Sequence, residues 1–386
     1  MNRLMLAACC CLQLAFSLGV TAATAAASPL SKGNTAPAWL DRFDQQFRHH
    51  LAQQQVPGGA YAIVHAGKIV ATGAYGVREQ GKPAKVNADT VFRLASVSKT
   101  FTGALLVQQV ARRQLQWSTP LRQFIPSLQL GNPRATNALT VEHVLTQSSG
   151  LMPHAFENLL EAGQTPQQIL PKFRKLTNLC PAGSCYSYQN VLFSTLADVA
   201  AQSARTASYE QLLVQRLLRP LQMTASSVGY AGYLASTNKA SPHRKQAGQW
   251  QALSVQPEFY RVNAAAGVNA SARDMALYLL AMTGHRPQVL SADMLAQLRV
   301  PKVLVAKQLK WPLWQQFKQA SGWYGRGWRV VQFDQHQLYY HGGVVDGFRP
   351  YVAYSAEHDI GVVLLTNAEA DVTGDIAKWF WQQVLG

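Results

Sequence analysis

Ser96 and Lys99 lie three residues apart in Phe92-Arg93-Leu94-Ala95-Ser96-Val97-Ser98-Lys99-Thr100-Phe101, at the start of the apolar run Phe101-Thr102-Gly103-Ala104-Leu105-Leu106-Val107. On a helix that spacing puts a hydroxyl and an amine on one face, with Cβ atoms about 5–6 Å apart. A serine in the first turn also sits among backbone N–H groups that lack an intrahelical partner, at the positive end of the helix dipole. A nucleophile, a base and a stabilising field then share one place. Three-residue spacings of such common residues are frequent, so the pair gains meaning only from what accompanies it.

Two later stretches accompany it. Tyr188-Gln189-Asn190 supplies a phenol and an amide. A phenol beside an ammonium is a workable base, because nearby positive charge lowers its pKa. The amide can bind a substrate carbonyl or hold the lysine. Tyr340-His341-Gly342-Gly343-Val344-Val345-Asp346-Gly347-Phe348 follows a strand-like run. Glycines there let a substrate backbone approach the strand edge, and the Val344 N–H after them is a candidate oxyanion donor.

In this order, Ser-x-x-Lys, Tyr-x-Asn and a Lys/His-x-Gly triplet resemble the signature of serine β-lactamases and penicillin-binding proteins. The separations of about 90 and 150 residues are similar to those of the class C β-lactamase branch. Further similar segments are Leu145-Thr146-Gln147-Ser148-Ser149-Gly150-Leu151, Leu218-Arg219-Pro220-Leu221-Gln222-Met223, Ala266-Gly267-Val268-Asn269-Ala270-Ser271-Ala272-Arg273-Asp274-Met275 and Tyr324-Gly325-Arg326-Gly327-Trp328. The resemblance implies Ser96 as the nucleophile of an acyl-enzyme and Lys99 as its activator. It implies Tyr188 as general base and then acid, and Asn190 as a ligand of the substrate's amide. His341, Gly342 and Gly343 would line the site, and the N–H groups of Ser96 and Val344 would form the oxyanion hole. No cofactor and no metal is implied.

One departure bears on the substrate. The class C enzymes have Lys-Thr-Gly where this chain has His341-Gly342-Gly343. A histidine carries a charge at pH 7 only in a minor fraction unless its pKa is raised, and Gly342 has no side chain. Carboxylate recognition is therefore weakened or moved, with Arg349 the candidate replacement. His-x-Gly members of the family include D-amino-acid peptidases, amidases and esterases. The expectation is a serine hydrolase acting on an amide or ester, with β-lactams and D-Ala peptides on one side and carboxylic esters on the other. A catalytically silent penicillin-binding sensor is the reading from another class; intact Ser96, Lys99 and Tyr188 argue against it. A Ser-His-Asp hydrolase using His341 lacks the Gly-x-Ser-x-Gly turn that would expose another serine.

These residues need elements to hold them. Leu40, Phe43, Phe47 and Leu51 recur at helical spacing, predicting a helix over 39–54. Ala66-Gly67-Lys68 joins two strand-like runs, 60–65 and 69–74. Helical patterns follow over 96–113, 140–146, 166–176, 191–204, 209–218 and 272–282, with Thr140 and Ser271 as caps. Near the end, 328–333, 337–341, 351–355 and 360–366 read as strands, and 371–385 as a helix. The order predicts an α+β fold: an antiparallel sheet flanked by the N- and C-terminal helices, with an inserted all-helical lobe. The sheet lobe is expected at about 38–95 and 322–386, and the helical lobe at about 96–321. The family resemblance implies the same architecture, with the site between the lobes.

Composition bounds the rest. The chain has 386 residues, 48% hydrophobic and 14% charged, which fits a folded chain with one large core or two lobes. Arg3, the apolar run 4–20 and the small residues 21–27 predict a signal peptide over 1–27, followed by a flexible leader over 28–37. A periplasmic or secreted protein is expected; the short stretch before Cys9 argues against a lipoprotein. Cys180 and Cys185 then remain, five residues apart, as candidates for a local disulfide in an oxidising compartment. The net charge of +16 could favour anionic partners such as cell-wall polymer, but with no run of five or more Lys/Arg a dispersed basic surface is the better reading; a small-molecule or peptide substrate is expected. No recognisable nucleic-acid-binding module is present, and a monomer is expected.

Overall fold

A computed structural model describes residues 39–305, 320–333 and 335–385. The expected signal peptide and leader fall outside these residues. All described residues belong to one unit, Ala38–Gly386.

In chain order the strands are β1 (Gly58–His65), β2 (Lys68–Gly76), β3 (Val91–Arg93), β4 (Ser227–Val228), β5 (His243–Gln246), β6 (Gln249–Ala252), β7 (Val268–Ser271), β8 (Val303–Leu304), β9 (Ser321–Tyr324), β10 (Arg329–Phe333), β11 (His336–Gly342), β12 (Tyr351–Ser355) and β13 (Ile360–Thr366). The helices that matter most for the site and its support are α1 (Trp39–Gln53), α2 (Ser98–Ala111), α3 (Asn263–Ala266), α4 (Ala272–Met282) and α5 (Thr373–Leu385). Among the described residues the main sheet is antiparallel, in the order β2-β1-β13-β12-β11-β10-β9-β8. The chain's two ends meet in its middle, where Gly59 pairs with Thr366 and His65 with Ile360.

Helices cover both faces of this sheet, which is why β13 is apolar and buried along its whole length. On the outer face Leu40, Phe43, Phe47 and Leu51 of α1 pack with Ile376, Phe380 and Trp381 of α5 over Tyr61, Ile63, Val362 and Leu364. The alternate residues Ala60, Ala62, Val363 and Leu365 face the other way, into the core shared with α2 and α4. Period-two alternation thus sends each strand's side chains into two separate cores. Helix α2 is buried from Ser98 to Gln109, as expected of a helix that is apolar nearly all round.

The mixed helix and antiparallel-sheet class is as read from the sequence. The insert departs from an all-helical lobe: it holds the hairpin β5–β6 and the strands β4 and β7, which join β3 in a small sheet. The main sheet also recruits Val303–Leu304, ahead of the expected boundary at about 322. These strands are too short for alternation to show in the sequence. The predicted helix over 191–204 is two, Val191–Ser194 and Leu196–Ala204. Thr195 at the break donates its hydroxyl to the Leu192 carbonyl at 2.7 Å, a local bond that competes with helix continuation.

Candidate active site

Within Val91–Thr100 every residue is buried except Ser96. The chain turns there at Ala95, whose φ of 45° lies in the left-handed region, sparsely populated when a Cβ is present. Ala95–Val97 forms a 3-10 turn and α2 starts at Ser98, so Ser96 stands one step ahead of the expected helical turn. Close backbone approach seats this segment. At Gly327, with φ of 84°, a Cβ would lie 2.4 Å from the Lys99 carbonyl oxygen, so the Tyr324–Trp328 turn docks onto the start of α2. At Gly343 a Cβ would lie 2.8 Å from the Leu94 carbonyl oxygen and 2.9 Å from the Ala95 Cβ. The glycines let the end of β11 pass directly beside the turn that carries Ser96.

Lys99 is fully buried. Its Nζ lies 2.6 Å from Asn190 Oδ1, 3.0 Å from the Ala265 carbonyl of α3 and 3.3 Å from Ser96 Oγ. Burial pulls its pKa well below the usual lysine range; Glu157 opposes this and Arg329 adds to it. A neutral amine has two N–H donors and one lone pair. The two shorter contacts go to oxygens that only accept, so they take both donors, and the lone pair is left for the Ser96 O–H. Tyr188 Oη donates to Ser96 Oγ at 2.8 Å, and its ring centre lies 4.8 Å from Nζ. Burial, with Tyr186 beside it, pushes the Tyr188 phenol above its usual range, against Arg329 and the Ser96 hydrogen bond. The resting phenol is therefore a donor.

Tyr188 is held by its neighbours. Gln147 grips the Gln189 backbone from both sides: Oε1 accepts from its N–H at 2.7 Å and Nε2 donates to its carbonyl at 3.3 Å. Cys180 and Cys185 form a disulfide, with Cα atoms 6.3 Å apart, and the Gly183 N–H of that loop donates to the Ser148 carbonyl at 2.7 Å. Two residues absent from the sequence reading stand behind this wall. Glu157 Oε1 accepts from the Asn190 N–H at 3.2 Å, and Oε2 meets His154 Nδ1 at 2.9 Å.

The strand wall is different. His341 is buried, with Nδ1 2.7 Å from the Gly342 carbonyl and Nε2 3.0 Å from Tyr324 Oη. A carbonyl only accepts, so Nδ1 carries the proton and Nε2 accepts from Tyr324. Burial, Arg329 and Lys99 hold the His341 pKa well below the usual range. The imidazole is neutral with both nitrogens committed, so it supplies no charge to a ligand. Half-buried Arg329 brings a guanidinium to this wall: its central carbon lies 5.7, 5.7 and 5.5 Å from the ring centres of Tyr186, Tyr188 and Tyr324. Its only sequence signal was a cation opening the otherwise apolar run Arg329-Val330-Val331.

Among the described residues, neither the Ser96 nor the Val344 N–H donates to a backbone carbonyl, and Val344 is exposed. Asn190, expected to bind substrate or hold the lysine, places its carbonyl oxygen on Lys99. Arg349 is not brought to Ser96. Its guanidinium pairs with Asp371 at 3.3 Å, just ahead of α5; Arg349 lies in the connection ahead of β12, where its N–H donates to the Thr366 carbonyl at 3.1 Å, while its neighbour Pro350 packs near Gly343.

Comparison with known proteins agrees with this architecture. The sequence model of the family described as Beta-lactamase matches residues 43–385. The unguisins hydrolase ungD of Aspergillus violaceofuscus (strain CBS 115571) is 26% identical over 84% of this chain and 61% of its own length. Protein flp of Staphylococcus aureus (strain NCTC 8325 / PS 47) is 20% identical over 89% of this chain and 66% of its own. The chain thus spans less than two thirds of the length of these curated relatives. The octameric penicillin-binding protein homologue from Pyrococcus abyssi superimposes with a TM-score of 0.78 at 22% identity, covering 90% of this chain and 77% of that one, a likeness of fold. With the family match running from α1 to the end of α5, this chain belongs to the beta-lactamase family.

Proposed function

We propose that this protein is an exported serine hydrolase that forms an acyl-enzyme on an amide or ester. One observation carries the reading: the Ser96 hydroxyl lies between a buried amine, Lys99 Nζ at 3.3 Å, and a phenol, Tyr188 Oη at 2.8 Å. Ser96 Oγ attacks the acyl carbon as its proton moves to the Lys99 lone pair. The Ser96 and Val344 N–H groups receive the developing oxyanion. Collapse breaks the acyl bond, and Tyr188 Oη protonates the leaving group and is reprotonated from Lys99. Water then releases the acid product by the same route in reverse. The base role expected of Tyr188 passes to Lys99, because burial favours the neutral form of both groups and a neutral phenol donates.

Substrate charge is met by Arg329 in this reading, since His341 is neutral and Gly342 has no side chain. An anionic amide or ester, such as a penicillin or a D-Ala peptide, is favoured over a neutral ester on that ground. The names of the relatives, a hydrolase and a penicillin-binding protein homologue, support acyl transfer. The Cys180–Cys185 disulfide supports export to an oxidising compartment.

The test is to incubate the protein and Ser96→Ala with a fluorescent penicillin, a D-Ala-D-Ala peptide and a p-nitrophenyl ester. Labelling or turnover that vanishes in the variant is expected. Identical behaviour of the two proteins rejects Ser96 as nucleophile. Ester turnover without labelling or peptide release assigns a carboxylesterase, and no reaction with any of the three assigns the silent binding protein.

A further inference from the structure

The strand that carries His341 begins at His336, about 17 Å away at 3.3–3.4 Å per residue. There the register that pairs Tyr339 with Tyr354 and Tyr340 with Ala353 brings His336 opposite Glu357. His336 Nδ1 lies 3.4 Å from Glu357 Oε2, and the rings of His336 and His358 are 5.0 Å apart. One ligand atom from each of His336, Glu357 and His358 falls within 4.8 Å of the other two. Ligand atoms on a tetrahedral zinc ion, at 2.0–2.2 Å from the metal, are about 3.3 Å from one another, so the His336–Glu357 pair already has this spacing. His358 is oriented from behind: its Nδ1 lies 2.9 Å from Ser355 Oγ, on a serine that is fully buried. A metal-bound histidine typically donates its other N–H to such a group, which frees Nε2 for the ion. The next carboxylate in the turn, Asp359, is held by His285 at 2.8 Å.

We propose that His336, Glu357 and His358 form a divalent transition-metal site, with zinc the fitting ion. Two imidazoles and one carboxylate suit zinc rather than calcium or magnesium, which prefer oxygen ligands throughout. With a water as fourth ligand, the ion would pin the start of β11 to the β12–β13 turn, at the end of that strand remote from His341. The site stands independently of the hydrolase reading, because no residue of the acylation centre takes part.

The untagged full chain, stripped with EDTA and titrated with zinc chloride by calorimetry, is expected to bind one equivalent. His336→Ala and His358→Ala are expected to abolish that equivalent. Glu357→Gln, an exposed and nearly isosteric change, is expected to weaken it, and Ser355→Ala about tenfold or more, as for the loss of an outer-sphere partner. Calcium chloride should give no binding. Melting curves recorded in EDTA separate loss of a ligand from loss of fold. Absence of zinc binding to the wild type, or binding that survives His336→Ala, His358→Ala and Glu357→Gln undiminished, overturns the site.

Discussion

The two walls around Ser96 are built on opposite terms. The helical wall brings convergent side chains: Lys99 and Tyr188 on the hydroxyl, Asn190 and the Ala265 carbonyl on Lys99, and Glu157 behind Asn190. The strand wall offers backbone and aromatic surface, and its one histidine is turned inward to Tyr324 and the Gly342 carbonyl. Both walls bury a basic group, yet burial does different work. On Lys99 it leaves a lone pair facing the serine; on His341 it removes the charge and uses up both nitrogens. In the proposed reading the reaction type is set on the helical wall, while the strand wall, with Arg329 as its cation, would set which acyl group is accepted.

The largest effect that tests this division is on the base. Lys99→Met keeps the apolar length of a buried side chain and removes the lone pair. We expect acylation by a reactive penicillin or ester to fall roughly 10⁴-fold or more, with the circular dichroism unchanged. Loss of under tenfold would move the base elsewhere. In the wild type, acylation should fall as pH drops and Lys99 takes up a proton, because only its neutral form accepts from Ser96. Tyr188→Phe comes next. It keeps the ring that packs against Lys99 and deletes only the hydroxyl, so a loss of about 10²–10⁴ is expected. The loss should shrink for esters with good leaving groups such as p-nitrophenol, which need little protonation.

How much of this was legible in the sequence follows the same division. Ser96 and Lys99 could be read because both sit on one helical start, where local spacing fixes geometry. Tyr188 could be read as a companion because it comes with Asn190, in a set order along the chain. Glu157 and His154 could not. His154 lies on an irregular loop in which His154 and Phe156 both have positive φ, and Glu157 opens the five-residue helix Glu157–Glu161 directly after it; no periodicity tells which way such a loop, or so short a helix, points its side chains. His341 was legible as a strand residue that is mostly neutral at pH 7, but not as one with both nitrogens committed, since that depends on Tyr324 and the Gly342 carbonyl, and Tyr324 reaches it only through sheet registry. Arg349 was misplaced for a related reason: it lies in the connection ahead of β12, outside any strand, where no periodicity tells where a side chain points. The sheet itself was readable where burial makes long apolar runs, as in β13, and invisible in two-residue β8.

Arg329 tests the strand wall. Arg329→Gln keeps a hydrogen-bonding side chain and removes the charge. If the guanidinium meets a substrate carboxylate, KM for a penicillin or D-Ala peptide should rise roughly ten- to hundredfold, the range of a charge-assisted hydrogen bond. For a neutral p-nitrophenyl ester it should stay within about twofold. An equal change for both classes would mean that Arg329 acts by ordering Tyr186, Tyr188 and Tyr324, not by binding charge.

The smallest expected effect is on stability, and it bears on whether His341 is as inert as its contacts require. Its folded pKa is held well below the usual value, by burial first and then by Arg329 and Lys99, whereas the unfolded value is about 6.5. The unfolded chain therefore binds a proton that the folded one refuses. The stability associated with neutral His341 is fully present above about pH 6.5 and declines as pH falls toward the folded pKa, by about 1.4 kcal/mol per pH unit. His243, also buried, adds a parallel decline of its own, since burial lowers its pKa too. In His341→Gln the dependence should lose one proton's share while that of His243 remains, so denaturant midpoints at pH 7.5 and 5.0 should lie closer together than in the wild type. If the two proteins show the same pH slope, His341 accepts its proton in the folded state as readily as in the unfolded one. Below about pH 6.5 a charged imidazole would then stand on the strand wall beside Arg329.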